Sequence, residues 1–227
     1  MQYNVNFDIE LKKNSYPGTY IALEGIDGSG KTTQVDMLER YFKEQGKEVV
    51  RTHEPRRDGV MGGLVDEILT GKSKIPSVAL QYLFAAQRAT FMEEMVMPAL
   101  TRGAIVITDR CFWSSVPYGL LDKYESEKEE NPDQLLAALS ILSMYHEFIS
   151  PDITFVLDVS IDTAGDRLAG KGKAAEIYEK REKLERLKEG YAFLFEKFPD
   201  ELVKIDAEKT PEDVEKDILE ELKKISK

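Results

Sequence analysis

Tyr20-Ile21-Ala22-Leu23-Glu24-Gly25-Ile26-Asp27-Gly28-Ser29-Gly30-Lys31-Thr32 is the stretch on which the fold of this chain turns. Its first four residues form an apolar run that reads as a buried parallel strand. Gly25 to Thr32 then spell G-x-x-x-x-G-K-T, and behind them Val35, Leu38 and Phe42 recur at helical spacing. A glycine loop therefore joins a strand to the start of a helix. Such a loop lets backbone N–H groups curl around phosphates, and the helix N-terminus adds partial positive charge. Gly25, Asp27, Gly28, Ser29, Gly30, Lys31, Thr32 and Thr33 are the candidate triphosphate cradle. Within it Lys31 can reach the β- and γ-phosphates, and the Thr32 hydroxyl can ligate Mg²⁺. The pattern points to nucleoside triphosphate binding.

The 227 residues suit one α/β domain with a full core, and no apolar run approaches the length of a membrane span. Residues 1–18 end in Pro17-Gly18 and read as an extension ahead of a single domain over 19–227. They lack the basic and apolar regions of a secretory signal, and a lone cysteine, Cys111, is what a reducing cytoplasm permits. The net charge of −11 argues against a nucleic-acid binder, whose affinity rests on a basic face. It also sets a problem, because a nucleotide site must attract anions. The cations must be gathered in one cleft, with the acidic excess elsewhere.

Strands alternate with helices along the chain. Glu48–Thr52, Ala104–Thr108, Ile153–Leu157 and Leu202–Ile205 read as further strands. Helices are expected near Gly62–Leu69, as one long run from Pro76 to about Leu100, on both sides of the acidic stretch 122–132, and from Thr210 onward. The expected architecture is a three-layer α/β P-loop NTPase fold: a five-stranded parallel sheet with helices on both faces. Asp109-Arg110 falls at the carboxyl edge of the third strand, where open α/β sheets place ligands. Taken alone that pair reads as a salt bridge or cap; beside a phosphate loop, Asp109 becomes a candidate for the magnesium shell and Arg110 for a phosphate.

From Tyr20 onward the chain resembles the thymidylate kinase family. The resemblance rests on the loop quoted above, His53-Glu54-Pro55-Arg56, Leu83 to Arg88, Asp109 to Tyr118, Pro151 to Asp158 and Tyr178-Glu179, in that order. It implies transfer of the γ-phosphoryl group of ATP to dTMP, with Mg²⁺ and a homodimer. Lys31, Arg110, Asp109 and Arg181 would be catalytic, with Thr32 and Asp109 holding the metal. The acceptor site would comprise Asp27, Glu54, Pro55, Arg56, Phe84, Arg88, Arg110, Ser114, Ser115, Tyr118 and Glu179. In this reading Phe84 stacks on the base, Arg88 donates to a base carbonyl, Tyr118 crowds a ribose 2′-hydroxyl, and Asp27 meets the sugar 3′-hydroxyl. A mobile lid over about 167–182 would bring Arg167, Lys171 and Lys173 onto the triphosphate, its Gly170 and Gly172 acting as hinges.

The residues themselves leave other readings open. Phe84 also falls on an apolar stripe with Leu80 and Phe91, and Tyr118 can be a packing tyrosine. Gln87 stands where an aspartate is common in the family, Gly119 where a glutamine is, and Cys111 where a Tyr or His is. Cys111 beside Arg110 could be an activated thiol or a small packing residue. A different monophosphate acceptor such as dUMP, or a nucleotide-binding regulator without turnover, would carry much of the same pattern.

Overall fold

The computed structural model describes residues 10–127, 134–170 and 181–224. Five strands, β1 (Thr19–Glu24), β2 (Val49–His53), β3 (Ile105–Asp109), β4 (Ile153–Asp158) and β5 (Val203–Asp206), form one parallel sheet in the order β2-β3-β1-β4-β5. Central strand β1 is buried from Tyr20 through Glu24, which is why it reads as a continuous rather than an alternating apolar run. Each strand ends within a residue of its sequence-based boundary, and Asp109 is the last residue of β3 rather than the first beyond it.

Helices α1 (Lys31–Glu44), α2 (Gly59–Leu69), α3 (Ser77–Phe91), α4 (Met97–Thr101), α5 (Ser115–Glu127), α6 (Gln134–Leu142), α7 (Ile161–Ala169) and α8 (Arg181–Lys197) lie between the strands, and α9 (Pro211–Leu222) follows β5. The single long helix expected over 76–100 is interrupted. A wide π turn at Met92–Val96 separates α3 from α4, where Pro98 in the first turn has no N–H to offer the preceding carbonyls. Ser160 and Thr210 cap α7 and α9 by accepting from Thr163 N and Asp213 N at 3.1 and 3.3 Å.

The core lies on both faces of the sheet. Ile21, Leu23, Ile107, Phe155 and Leu157 pack with Leu38, Trp113 and Leu194, while Tyr20 and Val106 pack with Phe91, Val96 and Leu100. Ahead of β1, Asn14 Nδ2 donates to Asp152 at 2.7 Å and Lys12 forms a parallel bridge to Ile149, so residues 12–18 run against the domain. Because β2, β3 and β1 are neighbours, with Asp109 level with both Leu23 and His53, the loops after all three strands open at one edge.

Candidate active site

A cavity of about 620 Å³ occupies that edge, bounded by the loops at 27–32, 53–57 and 109–115 and by one face of α3. Six cations line it, Lys31, Arg51, Arg56, Arg57, Arg88 and Arg110, against the carboxylates Asp27, Glu54 and Asp109. A chain of net charge −11 thus carries a locally positive cleft, which resolves the problem its composition posed.

The phosphate loop owes its shape to close backbone approach. Gly25 and Gly28 take φ of 131° and 84°. A Cβ on Gly25 would lie 2.6 Å from the Leu157 carbonyl oxygen, and one on Gly28 would strike that of Ala164. Lys31, in the first turn of α1, donates from Nζ to the Gly25 and Ile26 carbonyls at 3.1 and 2.9 Å. Burial, together with the nearby Arg110 charge, lowers its pKa to about 8. Thr32 Oγ1 donates to Asp109 Oδ2 at 2.8 Å. These hard oxygen donors suit magnesium, which takes few protein ligands and completes its shell with water and phosphate oxygens. Among the described residues no group of three or more His, Cys, Asp and Glu is placed to cage a metal.

Arg110 adopts φ 75°, a left-handed conformation uncommon outside glycine, which turns its side chain back across the strand ends. Its guanidinium donates to Asp27 Oδ1 at 2.6 Å and to the Gly25 carbonyl and Ser114 Oγ at 3.1 Å, and lies 4.9 Å from the Tyr118 ring centre. Burial works to raise the Asp27 pKa, but Arg110 and Lys31 outweigh it and hold that carboxyl below the usual range. Tyr118 also donates to Asp27 Oδ2 at 3.4 Å.

On the acceptor side, Phe84 and Arg88 share one face of α3, and both line the cavity. Phe84 is half-buried, so it both packs on the core and faces the space. Arg88 is buried. It pairs through Nε with Glu54, donates to Ser115 Oγ at 3.3 Å and lies 4.6 Å from the Tyr145 ring centre. Burial raises the Glu54 pKa despite Arg88, and its second oxygen has no hydrogen-bond partner. The Glu54–Pro55 peptide is cis. Arg56 donates from Nε to Asp58 at 2.7 Å and packs over Phe91. Cys111 is buried, and burial pushes its thiol well up, so the neighbouring arginine does not make it a nucleophile.

The structure therefore gathers Asp27, Gly28, Gly30, Lys31, Thr32, Thr33, Glu54, Pro55, Arg56, Phe84, Arg88, Asp109, Arg110, Ser114, Ser115 and Tyr118 around one cavity. Gly25 and Ser29 complete the loop beneath it. Arg167 does not line the cavity; from α7 its guanidinium reaches the backs of Gly28 and Ser29, 3.5 Å from their carbonyls. Arg181 is not brought to the cavity either: it is exposed at the start of α8, paired with Asp162 at 2.6 Å and Glu185 at 3.2 Å. Lys171, Lys173 and Glu179 lie outside the described residues.

Two buried residues that support the site from outside the cavity lining carry no site role in the sequence reading. Glu24 is fully buried, and its carboxylate accepts from Cys111 N, Ser114 N, Ser114 Oγ and the Tyr191 hydroxyl at 2.5 to 3.1 Å. A charge ending an apolar strand was a readable signal for Glu24. Tyr191, on α8, looked like any helical aromatic.

The sheet, the phosphate loop and the cationic cleft beyond it define a phosphate-loop nucleotide-binding protein with room for a second anionic substrate. The thymidylate kinase family model matches residues 23–218. A probable thymidylate kinase of Pyrococcus horikoshii is 33% identical over 208 residues, covering 89% of this chain and 94% of its own length. A thymidylate kinase of Chlorobaculum parvum is 34% identical over 212 residues, with the same coverage. The solved thymidylate kinase structure from Candida albicans superposes with a TM-score of 0.78 over 93% of both chains; at 24% identity it supports the fold. This chain belongs to the thymidylate kinase family.

Proposed function

We propose that this nucleoside monophosphate kinase transfers the γ-phosphoryl group of ATP to dTMP, giving ADP and dTDP. The observation that carries the reading is one cavity lined by Lys31 and Thr32 together with Phe84, Arg88, Arg110 and Arg56. Two arginines on the wall of that cavity, Arg110 and Arg56, favour an acceptor that already bears a phosphate, which pairs with a guanidinium far better than the uncharged hydroxyl of a nucleoside would. The transfer needs no covalent intermediate. Catalysis comes from holding donor and acceptor in line and meeting the charge that spreads over the moving phosphoryl group.

Lys31 serves the donor phosphates. Arg110, fixed by Asp27 and Ser114, serves the acceptor phosphate, and Phe84 with Arg88 serves the base. Thr32 and Asp109 would hold magnesium, which supplies neutralisation of charge on the donor phosphates. Transition-state charge would be met from the 167–182 stretch, where the Arg167 guanidinium lies 3.5 Å from the Gly28 carbonyl oxygen. A homodimer is supported by apolar side chains exposed on α2, α3 and α6, among them Val60, Leu64, Val78, Tyr82, Leu135 and Leu136. No helix among the described residues is long and apolar enough to cross a membrane, and a cytoplasmic location suits an ATP-consuming enzyme with one buried cysteine.

The test is ADP release from ATP–Mg²⁺ across dTMP, dUMP, UMP, dCMP, AMP, GMP and thymidine. Strong preference for dTMP is expected, and Lys31→Ala should abolish it while leaving the chain folded. A preference for another monophosphate would transfer the same machinery to that acceptor. Absence of any acceptor-dependent ADP would overturn the kinase reading.

A further inference from the structure

Gln87 immediately precedes Arg88 on α3, and its carboxamide is buried in the cavity wall. Its Oε1 accepts from the Arg56 backbone N–H at 3.0 Å, and its Nε2 donates to the Arg56 carbonyl at 2.9 Å. One side chain thereby satisfies both backbone groups of a loop residue, as a neighbouring strand would. The amide orientation is forced, because the backbone N–H can only donate and the carbonyl only accept. The same loop is gripped on either side of this clamp. Arg88 pairs with the Glu54 carboxylate, and the α2 backbone at Gly62 approaches so closely that a Cβ there would lie 2.5 Å from the Arg57 carbonyl carbon.

Arg56 lies outside every strand and helix, so nothing in regular structure fixes its backbone. Its guanidinium nonetheless reaches the cavity wall, 5.5 Å from the Phe91 ring centre. A long side chain serves a phosphate only if its Cα is held in place, and the clamp meets that need.

We propose that Gln87 is a positioning residue for the acceptor phosphate: its carboxamide fixes the Arg56 backbone so that the guanidinium is presented to a nucleoside monophosphate. The inference rests on the reading of Arg56 as an acceptor-side cation. It requires a group with one donor and one acceptor. A carboxylate keeps the acceptor but sets a second oxygen against the Arg56 carbonyl, whereas a carboxylic acid restores the donor. Methionine fills the volume and offers neither function.

The test compares Gln87→Met and Gln87→Glu with the unaltered enzyme. Loss of a buried hydrogen-bonded pair should raise the dTMP KM about tenfold in Gln87→Met at every pH, with the ATP KM unchanged. Gln87→Glu should show a similar deficit at about pH 8 and recover as the pH falls toward about 6, because burial beside a carbonyl favours the protonated acid. Hydrogen exchange at the Arg56 amide should quicken about tenfold in Gln87→Met, a readout that needs no turnover. An unchanged dTMP KM, an equal rise in both KM values, a Gln87→Glu deficit that ignores pH, or unchanged exchange at Arg56 would each overturn the clamp. If the unaltered enzyme failed to turn over dTMP the kinase reading would fall instead, and Arg56 exchange would still decide whether Gln87 holds that loop.

Discussion

Tyr191 donates its hydroxyl to Glu24 Oε2 at 2.7 Å, fastening α8 to the end of the central strand. Ser114 Oγ shares the same carboxylate oxygen at 2.5 Å. Arg110 in turn donates to Ser114 Oγ at 3.1 Å and to the Tyr191 oxygen at 3.4 Å. The proposed acceptor arginine therefore rests on groups that Glu24 orders from below. Tyr191→Phe should lower stability by about 1 kcal/mol, the usual net worth of one buried hydrogen bond, because Glu24 keeps its other donors. It should also raise the dTMP KM more than the ATP KM, since Arg110 loses an acceptor. Urea unfolding and steady-state kinetics test both, and a variant matching the unaltered enzyme in each would remove Tyr191 from the support of Arg110.

The Lys31 ammonium gives nucleotide binding a definite pH dependence. Burial and Arg110 bring its pKa to about 8 in the ligand-free protein. Only the protonated form pairs with phosphate, and a bound triphosphate favours that form, which raises the pKa on binding. ATP affinity should accordingly weaken as the pH climbs through about 8, and binding near that pH should take up protons. Calorimetric titrations of ATP in buffers of different ionisation enthalpy check this directly. Binding heats independent of the buffer at that pH would show that Lys31 is already fully charged before the nucleotide arrives.

The sheet and the phosphate loop were legible because their signals are local: apolar runs of strand length, and a glycine spacing that only a strand–loop–helix context explains. Thr32 and Asp109 were legible from the phosphate loop and the strand end, which the strand order brings to one edge. Phe84 with Arg88 was legible through the family resemblance and their four-residue spacing on one helix. Partnerships across long sequence separations that no motif marks were not legible. Nothing near Tyr191 announces that its hydroxyl ends on Glu24, and nothing beside Gln87 announces that its amide pairs with the Arg56 backbone. The interruption after Phe91 was missed because an apolar helical period continues across it while Pro98 removes one backbone donor.

Asp58 occupies the Arg56 guanidinium, accepting from Nε at 2.7 Å and pairing with Nη2. Its carboxyl is held below the usual range by that bond, so it stays ionised at neutral pH and competes with an incoming phosphate. The pair is largely exposed on the Asp58 side, and such pairs are weak. Asp58→Asn should therefore lower the dTMP KM by up to about fivefold, with the ATP KM unchanged. A raised dTMP KM would mean instead that Asp58 holds Arg56 in its working position.

Asp109 accepts from Thr32 Oγ1 at 2.8 Å at the mouth of the phosphate loop. If these two oxygens organise magnesium, the position of the carboxylate matters more than its contribution to stability, since β3 is anchored by strands on both sides. Asp109→Asn keeps the shape and the hydrogen bond to Thr32 but removes the charge. Weakened outer-shell support typically costs about ten- to a hundredfold in metal affinity, so the magnesium concentration for half-maximal rate should rise by at least about tenfold. The unfolding midpoint should barely move. Magnesium titrations at fixed ATP and dTMP distinguish the outcomes: an unchanged magnesium concentration for half-maximal rate would remove Asp109 from the metal site.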